Sequence, residues 1–154
     1  MQHYLVRHAH AVDLAPDAAR PLSPEGRAQV ARLGAILQPS PAWMPREMWH
    51  SPLRRARETA TLLAEAAGFA GSLREVAELE PEVDPRMVAR RLADSRQPIA
   101  VVGHEPHLGM LASLMVVGQP AWPVVQMRKC AVLALDGAGA HWQVAWHLVP
   151  ELFV

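Results

Sequence analysis

The residues best suited to chemistry in this sequence are Arg7-His8, Arg54-Arg55 and His104. Arginine presents a planar, permanently charged fork that matches the oxygens of a phosphate. An imidazole among cations has a lowered pKa, so it keeps a lone pair at neutral pH and can attack phosphorus. A helix that begins close to Arg54 would add backbone N–H donors to the same site. These residue types together predict a site for a dianion, with histidine as a candidate nucleophile.

The elements that must position these groups are two short buried strands. Gln2–Val6 is an apolar run that ends at Arg7-His8, and Ile99–Val102, which is mostly β-branched, ends at Gly103-His104. Sheets flanked by helices form their sites in the crevice beyond the carboxyl ends of the strands. We therefore expect the two histidine-bearing segments to meet at one edge of a sheet.

Helical and strand patterns alternate along the rest of the chain, which predicts an α/β fold. We expect a three-layer α/β/α sandwich with a mainly parallel central sheet. Ser23 is a candidate N-cap for a helix that begins at Pro24. Met87 is expected to face inward from a short helix. The other predicted elements are a strand at Glu47–His50, helices at Arg54–Ala67, Pro85–Asp94 and Leu108–Val117, and a closing hairpin of Ala131–Leu135 and Gln143–Val149.

Length and composition limit the class of protein. The 154 residues suit one domain, residues 1–154, and are too few for a parallel barrel enzyme. A net charge of zero and an aromatic content of 5% disfavour a nucleic-acid partner. The single cysteine excludes an internal disulfide and a multi-cysteine zinc site. No targeting pattern is present, and the longest apolar stretch, Leu108–Val117, is about half a membrane span, so we expect a cytoplasmic protein without a membrane partner.

Four segments resemble, in order, the signature elements of the histidine phosphatase (phosphoglycerate-mutase-like) superfamily. They include an Arg-His pair, a Leu-Ser-x-x-Gly element, a Ser-x-x-x-Arg-Ala-x-x-Thr-Ala element and a Gly-His element. The short chain and its Gly-His-x-Pro form make it most similar to the small SixA-type phosphohistidine phosphatases. The matching segments are Leu5–Ala11, Arg20–Gly26, Ser51–Ala60 and Val101–Pro106.

The resemblance implies a role for each matching residue. His8 would be the nucleophile that becomes phosphohistidine. Arg7, Arg55 and His104 would bind the phosphoryl group and stabilise the charge on its oxygens. Arg55, rather than Arg54, matches the motif because it stands directly before an alanine and four residues before a threonine.

The general acid is not evident from the resemblance. Larger relatives place an acidic residue either after the Arg-Ala helix or directly after the second histidine. The candidates are Glu78 or Glu80 in the first region and Glu105 in the second, and a site without an acid is the remaining option. Arg20 is a candidate for the pocket rim. The superfamily usually has a glycine after the first histidine. Here that residue is Ala9, whose Cβ slightly narrows the approach to the site.

The activity implied is metal-independent and cofactor-independent removal of a phosphoryl group from a protein histidine. The partner would be a phosphorylated protein of the histidine phosphotransfer type. The alternative within the superfamily is a phosphomonoesterase that acts on a small phosphorylated substrate. Two other classes have some support: a metal hydrolase using the His8-x-His10 and His104-x-x-His107 imidazoles, and an inactive module that binds a phosphorylated partner.

Overall fold

The computed structural model describes residues 1–153, which fold into one six-stranded sheet with helices on both faces. None of the helices in this part of the chain is long and apolar enough to cross a membrane. The strands are β1 (Gln2–Arg7), β2 (Glu47–His50), β3 (Ser72–Glu75), β4 (Ile99–Gly103), β5 (Val132–Ala138) and β6 (His141–Leu148). The α-helices are α1 (Pro24–Leu37), α2 (Arg54–Ala66), α3 (Arg86–Asp94) and α4 (His107–Val117).

The strand order is β3-β2-β4-β1-β5-β6. The first four strands are parallel, and β5 and β6 are added antiparallel at one side. This architecture confirms the predicted sandwich with a mainly parallel sheet. Because β4 lies between β1 and β2, the carboxyl ends of these three strands are neighbours at one edge of the sheet.

Alternation along the strands divides the core into two layers. On β1, Tyr4 and Val6 face the layer formed with α1 and α2, whereas Leu5 faces the layer formed with α3 and α4. Both layers are closely filled with buried aliphatic side chains, each contributing about 1.5–3 kcal/mol when fully buried. The sheet is therefore held on both faces, and its edge is a rigid platform for a site.

The start of α1 fixes the segment that follows β1. The Ser23 hydroxyl oxygen accepts a hydrogen bond from the Gly26 N–H at 3.0 Å, so Ser23 is the N-cap and Pro24 is the first helical residue, as predicted. Gly26 packs directly against the carbonyl of His10, where a Cβ would collide with the backbone. Glycine at this position lets the chain after β1 lie close to α1.

Three expectations from the sequence were wrong or incomplete. The strand β3 was not predicted, because it is an exposed edge strand with neither an apolar run nor alternation. Met87 is 54% exposed, since α3 turns Val88 toward the core instead. In the closing hairpin, β5 continues through Asp136 and Gly137, and the turn lies at Gly139, whose φ of +58° suits glycine.

Candidate active site

His8 and His104 meet at the carboxyl edge of the sheet. His8 directly follows β1 and His104 directly follows β4, and these strands pair in parallel. The backbone N–H of His8 donates to the carbonyl of Gly103 at 2.9 Å. As a result the two imidazole rings lie 5.0 Å apart, centroid to centroid, and both are almost fully buried.

One ring nitrogen of His8 is committed to a backbone hydrogen bond. His8 Nδ1 lies 2.7 Å from the carbonyl oxygen of Ala9. Since a carbonyl oxygen only accepts, Nδ1 carries the proton of the neutral ring, and the lone pair is on Nε2. The N–H of Ala9 donates to Thr59 Oγ1 at 3.0 Å, which ties this turn to α2. The backbone therefore orients His8 with Nε2 as its nucleophilic atom.

Both imidazoles are neutral at physiological pH. Burial lowers the pKa of His8 to about 3, the hydrogen bond to Ala9 opposes this effect, and the positive charges of Arg55, Arg7 and Lys129 lower the pKa further. For His104, burial again has the largest effect, and with His8 and Arg55 it lowers the pKa to about 3. A neutral imidazole surrounded by cations retains the lone pair that nucleophilic attack requires.

The two arginines differ in what they already contact. Arg7 donates from one terminal nitrogen to the carbonyl of Met127 at 2.8 Å, while its buried Nε has no partner within residues 1–153. Arg55, in the first turn of α2, is buried and directs both terminal nitrogens to Oδ2 of Asp17 at 3.3 Å. A carboxylate thus occupies the guanidinium fork of Arg55, as an oxygen of a bound anion would.

Asp17 belongs to an exposed 3-10 turn, Asp17–Ala19, that contributes no buried residue to the core. Its carboxylate also accepts from Arg20 at 3.2 Å, and the hydrogen bond from Arg20 together with Arg55 keeps the pKa of Asp17 below its usual value. Arg20 in turn donates from Nε to the carbonyl of Val12. The structure therefore places Arg20 as a support for the Asp17 turn.

We expect Asp17→Ala to strengthen the binding of phosphate-like anions. An incoming anion must displace the Asp17 carboxylate from Arg55, and an ion pair with one exposed member is typically worth about 0.2–1 kcal/mol. Tungstate titration should show a Kd lowered by about two- to fivefold. The matched control is Asp13→Ala, which removes an exposed acidic side chain from the same segment. Weaker tungstate binding in the Asp17 variant would mean that Asp17 helps to hold the anion.

The three acidic candidates lie in different surroundings. Glu105 is half-buried, and its Oε1 is buried without a hydrogen-bond partner in the described chain. Burial raises the pKa of Glu105, and the charge of Arg7 opposes this increase. Glu78 pairs with Arg91 at 3.9 Å, and Glu80 follows the short 3-10 helix that contains Glu78. The positive charge of Arg7, a candidate phosphate ligand, therefore acts on Glu105.

The four imidazoles considered for a metal centre include His8 and His104, whose rings are neighbours, and His10 and His107, which have other surroundings. His10 Nδ1 lies 2.7 Å from Ser23 Oγ, beside α1. His107 is fully buried, and neither of its ring nitrogens has a partner among residues 1–153. Within that range, no three His, Cys, Asp or Glu side chains are arranged to hold a metal ion.

The buried histidines should make the protein sensitive to acid. Burial also lowers the pKa of His107, to about 4, so three imidazoles have folded-state pKa values well below 6.5. Below pH 6.5 the unfolded chain binds protons that the folded chain does not. Each of these imidazoles therefore makes the free energy of unfolding depend on pH. Its contribution to stability is fully present above pH 6.5 and falls by about 1.4 kcal/mol per pH unit as the pH decreases toward 4.

Urea unfolding at several pH values between 7 and 4.5 tests this expectation. His107→Leu should reduce the slope of the unfolding free energy against pH by about 1.4 kcal/mol per pH unit, which corresponds to one proton. His141→Leu, which changes an exposed histidine on β6, controls for the general effect of the substitution. An unchanged slope in the His107 variant would contradict the expectation.

Sequence reasoning missed several groups that shape this site. Asp17 carries no local signal, because its contact with Arg55 depends on how the long segment between β1 and α1 folds. Ser51 and Thr59 lie in the recognised Ser-x-x-x-Arg-Ala-x-x-Thr-Ala element, but their partners, His104 and the Ala9 N–H, became visible only in the fold.

The sequence was compared with known families. Residues 3–88, more than half of the chain, match the profile of the histidine phosphatase superfamily (branch 1). No curated protein sequence matches significantly. The chain belongs to the histidine phosphatase superfamily.

Solved structures share the fold over nearly the whole chain. The protein histidine phosphatase SixA complexed with tungstate is 21% identical, with a TM-score of 0.89 and 100% of both chains covered. The phosphoserine phosphatase from Entamoeba histolytica with phosphoserine is 13% identical, with a TM-score of 0.74 and 99% of both chains covered. A mycobacterial glucosyl-3-phosphoglycerate phosphatase is 18% identical, with a TM-score of 0.70, covering 94% of this chain and 97% of that one. The fold is thus that of several phosphatases with different substrates.

Proposed function

We propose that the protein removes the phosphoryl group from a phosphorylated histidine of another protein. The observation that carries the proposal is the geometry of His8. Its Nδ1 is hydrogen-bonded to the Ala9 carbonyl, which leaves the lone pair on Nε2. The centre of its ring lies 5.0 Å from the centre of the His104 ring. The positive charges of Arg55 and Arg7 contribute to the lowered pKa of the His8 imidazole. Membership of the histidine phosphatase superfamily supports the general activity, phosphoryl transfer to water.

The reaction proceeds in two displacements at phosphorus. His8 Nε2 donates its lone pair to form a new P–N bond, and the P–N bond of the substrate breaks. Its electron pair goes to the leaving imidazole, which departs neutral because the other nitrogen of that ring already carries a proton. Water then attacks the phosphorus of phosphorylated His8, loses a proton, and the P–N bond electrons return to Nε2. Arg7, Arg55 and His104 hold the oxygens of the phosphoryl group while its charge redistributes.

The leaving group favours phosphohistidine over an ester as substrate. An alkyl phosphate expels an alkoxide, for which a positioned acid contributes about 100- to 10,000-fold. A protonated phosphohistidine expels a neutral imidazole, for which a weaker acid is enough. In this chain burial raises the pKa of the acid candidate Glu105, and the charge of Arg7 opposes the increase.

Two of the connections at the site edge are short. Residues 51–53 join β2 to α2, and residues 104–106 join β4 to α4, so neither of these two is long enough to fold over the site. The segment between β1 and α1 is longer and reaches the site through Asp17, which contacts Arg55. The two short connections would leave their side of the edge accessible to a histidine on the surface of another protein. The second candidate function, a phosphomonoesterase for small phosphorylated molecules, is favoured by the similarity of fold to phosphoserine and glucosyl-3-phosphoglycerate phosphatases.

The decisive experiment compares kcat/KM for a phosphohistidine protein, a phosphohistidine peptide, phosphoserine and sugar phosphates. We expect the phosphohistidine substrates to have the higher kcat/KM. Efficient turnover of one metabolite ester, with phosphohistidine protein left intact, would establish the phosphomonoesterase instead. If phosphohistidine and aryl phosphate are both bound but neither is hydrolysed, the protein is a binding module.

We expect turnover to be independent of metal ions. The positive charges that a divalent metal would supply to the phosphoryl oxygens are already provided by Arg7 and Arg55, which are charged at every physiological pH. Activity after incubation with EDTA and removal of the chelator should equal that of untreated enzyme. A loss of activity that Mg²⁺ or Zn²⁺ restores would contradict this expectation.

A further inference from the structure

Ser51 is the residue that connects β2 to the second histidine of the site. It is fully buried between the end of β2 and the start of α2, and its N–H donates to the carbonyl of Val102 at 3.1 Å. Its Oγ lies 2.8 Å from Nε2 of His104 and accepts a hydrogen bond from the N–H of Leu53 at 3.2 Å. The backbone of Ser51 is therefore fixed by its bond to Val102, and its hydroxyl is fixed by the N–H of Leu53.

The proton in the Ser51–His104 hydrogen bond can be assigned by considering each donor. The Leu53 N–H uses one lone pair of Ser51 Oγ, and the hydroxyl has one proton to donate. His104 Nε2 is the acceptor within hydrogen-bond distance of that hydroxyl. If Nε2 donated instead, the buried Ser51 hydroxyl proton would have no acceptor in the described chain, which is destabilising. When Ser51 donates to Nε2, both the hydroxyl proton and Nε2 have a partner.

This assignment fixes the tautomer of His104. A neutral imidazole that accepts at Nε2 carries its proton at Nδ1. His104 Nδ1 is buried and has no hydrogen-bond partner within residues 1–153. Phosphoryl oxygens at neutral pH only accept hydrogen bonds, so His104 helps to bind them only if its free nitrogen is a donor.

We propose that Ser51 is a positioning residue that selects the Nδ1–H tautomer of His104, so that a neutral imidazole donates a hydrogen bond to the phosphoryl group at His8. The proposal rests on the proposed function for its consequence in catalysis, but the tautomer is a property of the free protein. Ser51 acts through His104 and does not itself contact the phosphoryl group.

The tautomer can be measured directly by two-bond ¹H–¹⁵N correlation NMR of the histidine side chains at neutral pH. We expect the protonated nitrogen of His104 to be Nδ1 in the wild type and in Ser51→Thr, which keeps the hydroxyl. In Ser51→Ala, Nε2 loses its donor, and the Nε2–H form should become populated. Ser113→Ala deletes another fully buried hydroxyl, which bonds to the backbone of Trp122 and Val124, and should leave the His104 signals unchanged.

Tungstate binding gives the functional readout without requiring turnover. We expect Ser51→Ala to raise the Kd for tungstate by about 10- to 100-fold, as for a lost hydrogen bond to a charged group, and Ser51→Thr to restore most of the affinity. In a His104→Ala background, Ser51→Ala should cause no further loss, because its effect passes through the imidazole. Thermal unfolding of each variant shows that the folded protein is being compared.

Two results would overturn the proposal. One is a wild-type His104 protonated at Nε2. The other is Ser51→Ala that keeps both the Nδ1–H tautomer and the wild-type affinity for tungstate. A wild-type protein that hydrolyses neither phosphohistidine nor aryl phosphate would instead refute the proposed function, while the tautomer and tungstate measurements would still decide the role of Ser51.

Discussion

His8→Ala should reduce phosphatase turnover by at least about 10⁴-fold, because the variant lacks the atom that we propose accepts the phosphoryl group. In the wild type, Nε2 of His8 is unprotonated and held toward the site by the Nδ1 bond to Ala9. Alanine removes that lone pair, and Arg7, Arg55 and His104 alone can only bind the substrate. Steady-state rates with aryl phosphate and phosphohistidine protein measure the loss.

Rapid quenching of the reaction provides a second measurement. The wild type should form a phosphoenzyme that is labile in acid and stable in alkali, as phosphohistidine is, whereas His8→Ala should form none. The control is His141→Ala, which changes an exposed histidine on β6 and should keep both turnover and the phosphoenzyme. Normal phosphoenzyme formation by the His8 variant would assign the nucleophile to another residue.

Glu105→Gln should separate the two classes of substrate. Glutamine has the shape of the protonated carboxyl but cannot transfer a proton, so hydrolysis of alkyl phosphates should fall by about 100- to 10,000-fold. Hydrolysis of phosphohistidine should fall by less than about tenfold, since its leaving group needs a weaker acid. The ratio of the two kcat/KM values in wild type and variant is the quantity to compare.

The dependence of ester hydrolysis on pH tests whether Glu105 acts as a proton donor. An acid works only in its protonated form, so ester hydrolysis should decline as the pH rises above the pKa of Glu105, which burial has raised. That decline should be absent in Glu105→Gln. Glu65→Gln is the matched control, because Glu65 is an exposed residue of α2 and is not a candidate for the acid. An equal loss for both substrates would mean that Glu105 acts by its charge and not by proton donation.

The sequence predicts the framework of the site because the framework is built from local patterns. Apolar runs define β1 and β4, a proline after a capping serine defines the start of α1, and helical spacing defines α2. The site residues follow the strand ends directly, so the fold class alone predicts that His8 and His104 lie near one another. Parallel strands bring their carboxyl ends together whatever the sequence between them.

The contacts that were not predicted depend on long-range geometry. Asp17 reaches Arg55 across 38 positions of sequence, and Ser51 reaches His104 across 53. Neither contact leaves a periodic or compositional pattern. The edge strand β3 was missed for a different reason: it pairs on one side only and exposes all four residues, so no apolar signal marks it.

The central position of β4 has a consequence for how the protein folds. Residues 1–98 contain Arg7, His8 and Arg55, but the strands that precede these residues, β1 and β2, do not pair with each other and are joined only through β4. The pairing of Tyr4 with Ala100 closes a loop of more than ninety residues, and contacts so distant in sequence form slowly. A nascent or truncated chain that lacks β4 therefore has no partial site. During refolding, activity should therefore recover only after β4 has inserted between its two neighbours.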